Sequence, residues 1–375
     1  MPRPLTVLQL LPALESGGVE RSTLEISAAL VAAGHRALVA SAGGRLLPAL
    51  RATGAEHFDL DLGRKSLATL RLVRPLRRLL AEQGVDIVHA RSRLPAWIGW
   101  RALQGLPAAS RPRFVTTVHG LNSPSRYSQV MTRGECVVCV SATVRDYVLQ
   151  HYPRTGPERL RVIPRGIDPS AFPRAPLPDC AARAAAAAAD PRVGGAGPLL
   201  LLPGRGTRLK GHADAIGLLA ALRAEGLDAR LWMPGARDPA RAAYVDELEA
   251  QARALGVVDA LAITPPTDAI AAAYAASDLV LQLSRKPEAF GRTVIEALAV
   301  GRPVLGWDHG GVGELLRELQ PDGAVPAFDA GALCARAATL LTRDHAAAAT
   351  MPAVPEMYSL QSMQDATLRI YDELR

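Results

Sequence analysis

Short apolar runs alternate along the chain with longer segments in which apolar residues recur every three or four positions. The first apolar run covers residues 6–11, and a segment of helical periodicity follows over 19–33, where Gly34 can close the helix. Repeated alternation of this kind is typical of an α/β fold in which helices cover a parallel sheet. We predict further strands over residues 36–41, 86–89, 114–119, 137–141, 199–202, 230–233, 260–264, 277–284 and 304–307.

Composition divides this pattern into two halves. The chain has 375 residues, of which 49% are apolar, and this is sufficient for two packed cores. We predict an N-terminal Rossmann-like domain over 1–170, an interdomain connection rich in proline, alanine and glycine over 171–197, and a C-terminal Rossmann-like domain over 198–355. Residues 356–375 should form an amphipathic helix. The predicted fold class is therefore α/β with two doubly wound parallel sheets.

The charge of the chain restricts its partners. The formal net charge is +7 and the pI is near 9.6, which indicates either a basic binding face or an arginine-rich source proteome. Only 4% of the residues are aromatic, so the stacking platforms that single-stranded nucleic acid requires are scarce. We predict no nucleic-acid partner and favour an anionic membrane surface.

Residues 63–84 form a basic segment. Arg71, Arg74 and Arg78 recur at helical spacing among leucines, which predicts an amphipathic cationic face. Such a face can dock on an anionic membrane, although a solvated face of a packed helix has the same pattern. Pro75 interrupts the pattern, so the face can consist of two pieces.

The apolar segments do not predict a membrane span. No apolar run approaches the ~20 residues that cross a bilayer. Residues 5–14 are interrupted by Gln9 and Pro12 and lack a small-residue cleavage site, so they do not fit a signal peptide. We expect a cytoplasmic protein that associates peripherally with the inner face of the cytoplasmic membrane.

The cysteines and one acidic pair are candidates for metal binding that we reject. Cys136 and Cys139 lie in a predicted strand at a spacing that directs their side chains to opposite faces, so we predict buried, structural thiols. Asp59 and Asp61 lie in a short alternating segment after a predicted helix, and the surrounding sequence shows nothing else of a metal-dependent fold. We predict no metal site, no cofactor and, from the cysteine usage, a reducing compartment.

Two carboxylates bracket a short helix in residues 287–306. Glu288 lies in the loop after a predicted strand, and Glu296 lies in the first turn of a helix that Thr293 can cap. This loop should lie at the carboxyl edge of a parallel sheet, where open α/β sheets bind ligands. Both carboxylates can then face one crevice, although the spacing from Thr293 to Glu296 is also that of a capping box.

A second candidate ligand site is the turn of residues 15–18, which precedes the first predicted helix. Gly17 and Gly18 leave free backbone N–H groups that suit a phosphate or sugar hydroxyls, although a simple tight turn has the same composition. Loop 203–211 also contains glycines and cations, but it lacks the Gly-Lys-Ser/Thr ending of a P-loop.

The stretch from Glu288 to Glu296, with seven residues between them and Gly-Arg-Pro-Val after them, closely resembles the donor-sugar signature of the retaining glycosyltransferases of family 4. Members of this family have the GT-B fold, in which two Rossmann-like domains face each other across a cleft. The resemblance implies that Glu288 holds hydroxyls of the transferred sugar and that Glu296 holds the nucleotide ribose. The resemblance also implies that four further residues belong to the donor site, namely Phe290, Gly291, Arg292 and Thr293.

The resemblance extends over nearly the whole chain. It implies that Gly17 and Gly18 approach the donor, that His119 contacts the donor sugar, and that the C-terminal helix crosses back to the first domain. Arg205 and Lys210 resemble the pair that clamps the donor diphosphate, although solvated loop cations are the alternative. Residues 162–168 resemble the interdomain signature, in which Arg165 stands where many members have asparagine and adds a positive charge.

The activity that the resemblance implies is transfer of a hexose or related sugar from a nucleotide-sugar donor, with retention at the anomeric carbon and without a metal. The implied acceptor is a glycolipid or polysaccharide of the bacterial envelope, of the lipopolysaccharide type. Two alternatives stay open. A nucleotide-sugar epimerase would have the same fold, and a catalytically silent protein would bind the nucleotide sugar without turnover.

Overall fold

The chain forms two compact units, one made of Met1–Gly166 with Leu360–Arg375 and the other of Ile167–Ser359. The computed structural model describes residues 3–15, 17–175, 177–342 and 353–375. Each unit contains a parallel sheet covered by helices, and the elements are numbered in chain order.

The sheet of the first unit is doubly wound. Its strands are β1 Thr6–Leu10, β2 Arg36–Ser41, β3 Glu56–Asp59, β4 Ile87–Ala90, β5 Arg113–Val118, β6 Cys136–Cys139 and β7 Leu160–Val162. Within the described residues these strands pair in parallel in the order β3-β2-β1-β4-β5-β6-β7. The order therefore reverses direction between β1 and β4, which creates a crevice at their carboxyl ends.

Helices cover this sheet, and the apolar residues that recur along them are buried in the core. They are α1 Gly18–Ala32, α2 Leu47–Ala52, α3 Val73–Glu82, α4 Arg93–Gln104, α5 Ala142–His151 and, at the end of the chain, α13 Leu360–Glu373. Ile26 and Leu30 of α1 are fully buried in the core of this unit, and Met363, Ile370 and Tyr371 of α13 join the same core. The C-terminal helix is thus part of the first unit.

The second unit repeats this arrangement. Its strands are β8 Leu199–Leu201, β9 Arg230–Pro234, β10 Leu261–Thr264, β11 Leu279–Gln282, β12 Val304–Trp307 and β13 Ala324–Val325. Among the described residues they pair in parallel in the order β10-β9-β8-β11-β12-β13. The direction reverses between β8 and β11. Side chains of β8 and β11 are buried on both faces, as expected for a strand covered on both sides.

The helices of the second unit are α6 Cys180–Ala189, α7 His212–Ala224, α8 Ala242–Ala254, α9 Ile270–Ala276, α10 Arg292–Val300, α11 Gly310–Leu319 and α12 Ala330–Leu341. We expected an interdomain connection over residues 171–197. In the structure the described residues of this range belong to the second unit, in which the alanine-rich α6 packs on α9.

The basic segment consists of two pieces. A 3-10 helix, Leu67–Leu72, carries Arg71, and α3 carries Arg74 and Arg78. Pro75 is the third residue of α3, where a backbone N–H would have no partner inside the helix, so the proline is tolerated.

Cys136 and Cys139 are free, buried thiols, as predicted. Burial raises the pKa of Cys136 to about 11 and that of Cys139 to about 12, so both are protonated and inert at neutral pH.

Candidate active site

The carboxyl edge of the second sheet is the best candidate for a ligand site in that unit. Loop 202–211 follows β8 and loop 283–291 follows β11, and these two strands are neighbours at the point where the strand order reverses. Most of the residues that the sequence singles out in the second half of the chain lie on these two loops. The fold therefore brings together side chains that are nearly 80 positions apart in the sequence.

Glu288 and Lys210 form the centre of this site. The Lys210 Nζ lies 2.6 Å from the Glu288 Oε1, and both side chains are about three-quarters buried. Ser284 donates its hydroxyl to the same carboxylate oxygen, and the Gln282 amide donates to Oε2 over 3.4 Å. The Glu288 carboxylate is thus oriented by three donors, one from each loop and one from the end of β11.

A glycine allows the two loops to approach each other. Gly211 has φ 76°, and a Cβ at this position would lie 2.0 Å from the carbonyl oxygen of Leu283. Only glycine fits such an approach in the left-handed region. Gly211 also precedes α7, so Lys210 lies directly before a helix N-terminus, a position that favours negatively charged ligands.

Glu296 belongs to a second cluster. Its Oε1 accepts from Arg292 Nε over 2.9 Å, and its Oε2 accepts from the Tyr274 hydroxyl over 3.0 Å. Glu296 is only 7% exposed, and burial next to this carboxylate raises the pKa of Tyr274 well above its usual value. Tyr274 therefore remains a hydrogen-bond donor throughout the physiological pH range.

The predicted cap of α10 is wrong. The helix begins at Arg292, its N-cap is Gly291 with φ 118°, and Thr293 is the second helical residue. Glu296 consequently lies in the second turn rather than the first, and the capping box does not form. The carboxylate is free of that local role and bonds to Arg292 and Tyr274 instead.

Arg205 and Phe290 lie at opposite extremes of exposure. Arg205 is exposed on its loop and makes no ion pair within the part of the chain that the structure describes. The ring of Phe290 is 7% exposed and packs on Tyr358, with ring centroids 6.3 Å apart. Phe290 therefore shapes the loop from inside, whereas Arg205 is available to a ligand.

In the first unit, the predicted residues occupy the carboxyl edge of the sheet. Gly17, with φ 144°, is the N-cap of α1 and Gly18 is its first residue, while Ser16 of the same turn lies outside the described residues. His119 directly follows β5, and its Nδ1 is hydrogen-bonded to Arg165. Burial, together with the neighbouring Arg165, lowers the pKa of His119 well below its ordinary value, so the ring is neutral at pH 7.

The three arginines of the basic segment line a cavity of about 770 Å³ in the first unit. Arg71, Arg74 and Arg78 are exposed, and Leu70 beside them is 53% exposed. Two acids, Asp59 and Glu82, also line the cavity, together with the apolar Phe58, Leu60, Leu70, Pro75 and Leu79. The arginines therefore surround a concave, partly apolar surface rather than lying along a flat helix face.

The residues that the structure describes contain neither a candidate metal cluster nor a candidate membrane span. No group of three or more histidine, cysteine, aspartate or glutamate side chains in these ranges is arranged to hold a metal ion. In the same ranges, every helix is too short or too polar to span a bilayer.

Sequence reasoning missed the partners of both carboxylates. Ser284 and Gln282 orient Glu288, and Tyr274 orients Glu296. Tyr274 is conspicuous in the sequence, because it is the single aromatic residue of an alanine-rich helix. Ser284 and Gln282 gave a weaker signal, since they are polar residues at the end of an otherwise apolar strand.

Family models match both halves of the chain. The model described as Glycosyltransferase Family 4 matches residues 16–171, and the model described as Glycosyl transferases group 1 matches residues 189–351. A curated relative, D-inositol 3-phosphate glycosyltransferase of Actinosynnema mirum, is 28% identical over 251 residues, which are 62% of this chain and 58% of the relative. The match thus spans little more than half of that relative.

Solved structures resemble the chain over its full length. A glycosyltransferase from Rickettsia africae has a TM-score of 0.85 and 27% identity, and the match covers 100% of this chain and 99% of that one. The Anabaena protein HepE in complex with UDP and glucose has a TM-score of 0.77 at 20% identity, over 98% of this chain and 100% of that one. The latter likeness shows the fold alone. With the two doubly wound sheets, these matches confirm the GT-B fold class.

Proposed function

Because this chain belongs to the family 4 glycosyltransferases, we propose that it transfers a sugar from a nucleotide-sugar donor with retention at the anomeric carbon and without a metal. The acceptor in this proposal is a lipid-linked or lipopolysaccharide-type glycan. The observation that carries the proposal is the pair of Lys210 and Glu288, held 2.6 Å apart at the reversal point of the second sheet.

Arg205 and Lys210 are assigned to the donor diphosphate. An ammonium group has three donors, and Lys210 uses one on Glu288, so two are available to phosphate oxygens while the carboxylate stays in place. When the bond from the anomeric carbon to the phosphate oxygen breaks, negative charge grows on the diphosphate. Fixed cations at this position stabilise that charge more in the transition state than in the bound donor.

The two carboxylates are assigned to hydroxyl groups. Glu288 retains acceptor capacity for hydroxyls of the transferred sugar, and Glu296, held by Tyr274 and Arg292, is assigned to the ribose. The donor contacts of His119, Gly17 and Gly18 rest on the family resemblance. The neutral state of His119 supports a role as a hydrogen-bonding group rather than a cation.

The basic segment is assigned to the membrane that carries the acceptor. Arg71, Arg74, Arg78 and the exposed Leu70 combine positive charge with apolar surface around one cavity, as a site for anionic headgroups requires. In this proposal the protein works at the inner face of the cytoplasmic membrane and binds there peripherally.

A panel of nucleotide sugars tests the proposal. The protein is incubated with each donor, with and without lipid-linked glycan and inositol phosphate acceptors, and free nucleotide and product are measured in the presence of EDTA. A transferase forms an acceptor-dependent glycoside with the anomeric configuration of the donor. Conversion of the donor without acceptor would instead identify an epimerase, and binding without turnover a silent protein.

A further inference from the structure

Arg91 is a buried cation at the carboxyl edge of the first sheet. It directly follows β4, is 2% exposed, and its backbone N–H donates to Leu10 at the end of β1. Its side chain donates from Nε to the Gln9 amide oxygen over 2.7 Å and from Nη1 to the Ser22 hydroxyl over 3.2 Å. Gln9 and Ser22 are themselves fully buried, so they fix the guanidinium at the point where the strand order reverses.

This cation is not neutralised by a bonded acid. Among the described residues, Arg91 makes no ion pair, and its Nη2 is buried without any hydrogen-bond partner. Glu25 attracts it only at longer range. A buried donor without a partner costs about 1–3 kcal/mol, and a buried charge without a counter-ion costs more. A position this costly is well suited to a ligand that supplies the missing negative charge.

Arg165 adds a second positive group beside it. Its Nη1 donates to the same Ser22 hydroxyl over 2.7 Å, so the two guanidinium groups are neighbours across a single oxygen. Arg165 also bonds to His119, and both are half-buried, which gives the cluster a side that solvent reaches. The cluster of Arg91, Arg165 and His119 lies entirely within the first unit.

We propose that the two arginines of this cluster bind an anionic group, a phosphate or a carboxylate, on the acceptor. The inference rests on the proposed function, because it names the chemical class of the acceptor. The donor diphosphate already has its own cations, Arg205 and Lys210, on the second unit. An anion that reaches the exposed side of Arg165 gains charge-assisted hydrogen bonds there and relieves the repulsion between the two guanidinium groups.

The first test uses inorganic phosphate as the probe. The parent protein carries Arg205→Ala and Lys210→Ala, which remove the phosphate site of the second unit. Phosphate is titrated at constant ionic strength, and heat release and the unfolding midpoint are followed. Arg91→Gln in this parent should weaken phosphate binding about tenfold to a hundredfold, as expected for loss of a charge-assisted bond. Arg101→Gln, at an exposed site in the same unit, is the matched control and should leave binding unchanged.

The site does not exist if the parent binds no phosphate, or if Arg91→Gln and Arg101→Gln bind it equally well. Should Arg91→Gln fail to fold, the half-buried Arg165→Gln replaces it, with the same expected loss. Nucleotide release by the wild type is measured separately and decides the proposed function, because phosphate binding to the first unit does not depend on it.

The second test identifies the ligand. Acceptors that carry a phosphate, a carboxylate or no charge are compared in the wild type and in Arg91→Gln. The variant should raise KM for the charged acceptors about tenfold or more and change KM for neutral alkyl glycosides much less. An equal rise for all three acceptors, or a loss confined to nucleoside diphosphate affinity, would contradict the assignment to the acceptor.

Discussion

At the scale of single residues, the two carboxylates of the second unit are held by different kinds of partner. Glu288 bonds to a cation of one loop and to two neutral groups at and just after the end of β11, whereas Glu296 is fixed by one cation and one buried phenol. The pair of Lys210 and Glu288 and the pair of Tyr274 and Glu296 both join residues that are distant in the sequence, so no spacing rule predicts either pair. They arise because β8 and β11 are neighbours and because α9 packs against α10.

Tyr274→Phe should leave the Glu296 carboxylate less firmly oriented. The change removes the hydroxyl that donates to Oε2 over 3.0 Å and leaves a buried carboxylate oxygen without this partner. We expect a loss of about 1–3 kcal/mol in the free energy of unfolding and about fivefold weaker binding of a nucleoside diphosphate. Calorimetric titration measures the affinity, and chemical denaturation measures the stability.

Tyr244→Phe is the matched control for this change. Tyr244 is also a buried tyrosine of the second unit, but its hydroxyl lies 3.5 Å from His212 and touches neither carboxylate. It should lose stability without losing nucleotide affinity. The role of Glu296 toward the ribose would be refuted if Tyr274→Phe bound ribose and 2′,3′-dideoxyribose nucleotides with the same ratio of affinities as the wild type.

At the scale of elements, most of the fold follows from apolar periodicity. The strands at the centres of both sheets and the helix α1 lie within a few residues of their predicted bounds. The strand side chains are buried on both faces, and those of α1 are buried along one stripe. The edge strand β3 was not predicted, since its side chains are partly exposed and form no apolar run. The predicted start of α10 is wrong because Gly291 and Thr293 can both cap a helix, and the sequence does not show that the backbone of Gly291 lies close to Val312.

We predict that the buried histidine at the start of α7 makes the free energy of unfolding depend on pH. His212 is the first residue of this helix and is fully buried, and burial lowers its pKa to about 4 from 6.5. The folded protein therefore holds His212 neutral, while the unfolded chain takes up a proton below pH 6.5. This contribution to stability is complete above pH 6.5, is lost as the pH falls toward 4, and amounts to about 3 kcal/mol at most.

Denaturation of the wild type and of His212→Gln between pH 7.5 and pH 4 tests this expectation. Other histidines with lowered pKa values, His89 and His119, are present in both proteins and cancel in the difference. The stability difference between the two proteins should change by up to about 3 kcal/mol over this range, in the direction that disfavours the wild type at low pH. Parallel curves would show that His212 is not the titrating group.

At the scale of the whole molecule, the net charge is +7, and part of this positive charge is concentrated in the basic segment. Replacing Arg71, Arg74 and Arg78 by glutamate should abolish binding to anionic vesicles. Each cation near such a surface contributes about 1 kcal/mol, so three of them change the partition coefficient more than a hundredfold. Binding of the wild type should also weaken with salt, because the attraction is screened over about 8 Å at physiological ionic strength.

A second triple variant distinguishes a specific effect of the basic segment from a general effect of net charge. Arg101, Arg111 and Arg145 are exposed arginines elsewhere in the first unit, and their replacement by glutamate gives the same net charge. Sedimentation with anionic and neutral vesicles compares the two variants. If both lose binding equally, only net charge matters, and if the wild type ignores anionic vesicles, the basic segment is solvated surface.

The turnover number at saturating donor is the measurement that tests the central claim most directly, with Arg205→Ala and Lys210→Ala compared with Arg208→Ala. Arg208 lies in the same loop, but it is exposed and paired with Glu247, so its loss should leave turnover near the wild-type value. Loss of a transition-state contact costs roughly 3 kcal/mol, so each of the other two variants should lose about a hundredfold in kcat with a smaller change in donor affinity. Near-normal turnover of Arg205→Ala and Lys210→Ala would show that the second unit does not hold the departing diphosphate through these cations.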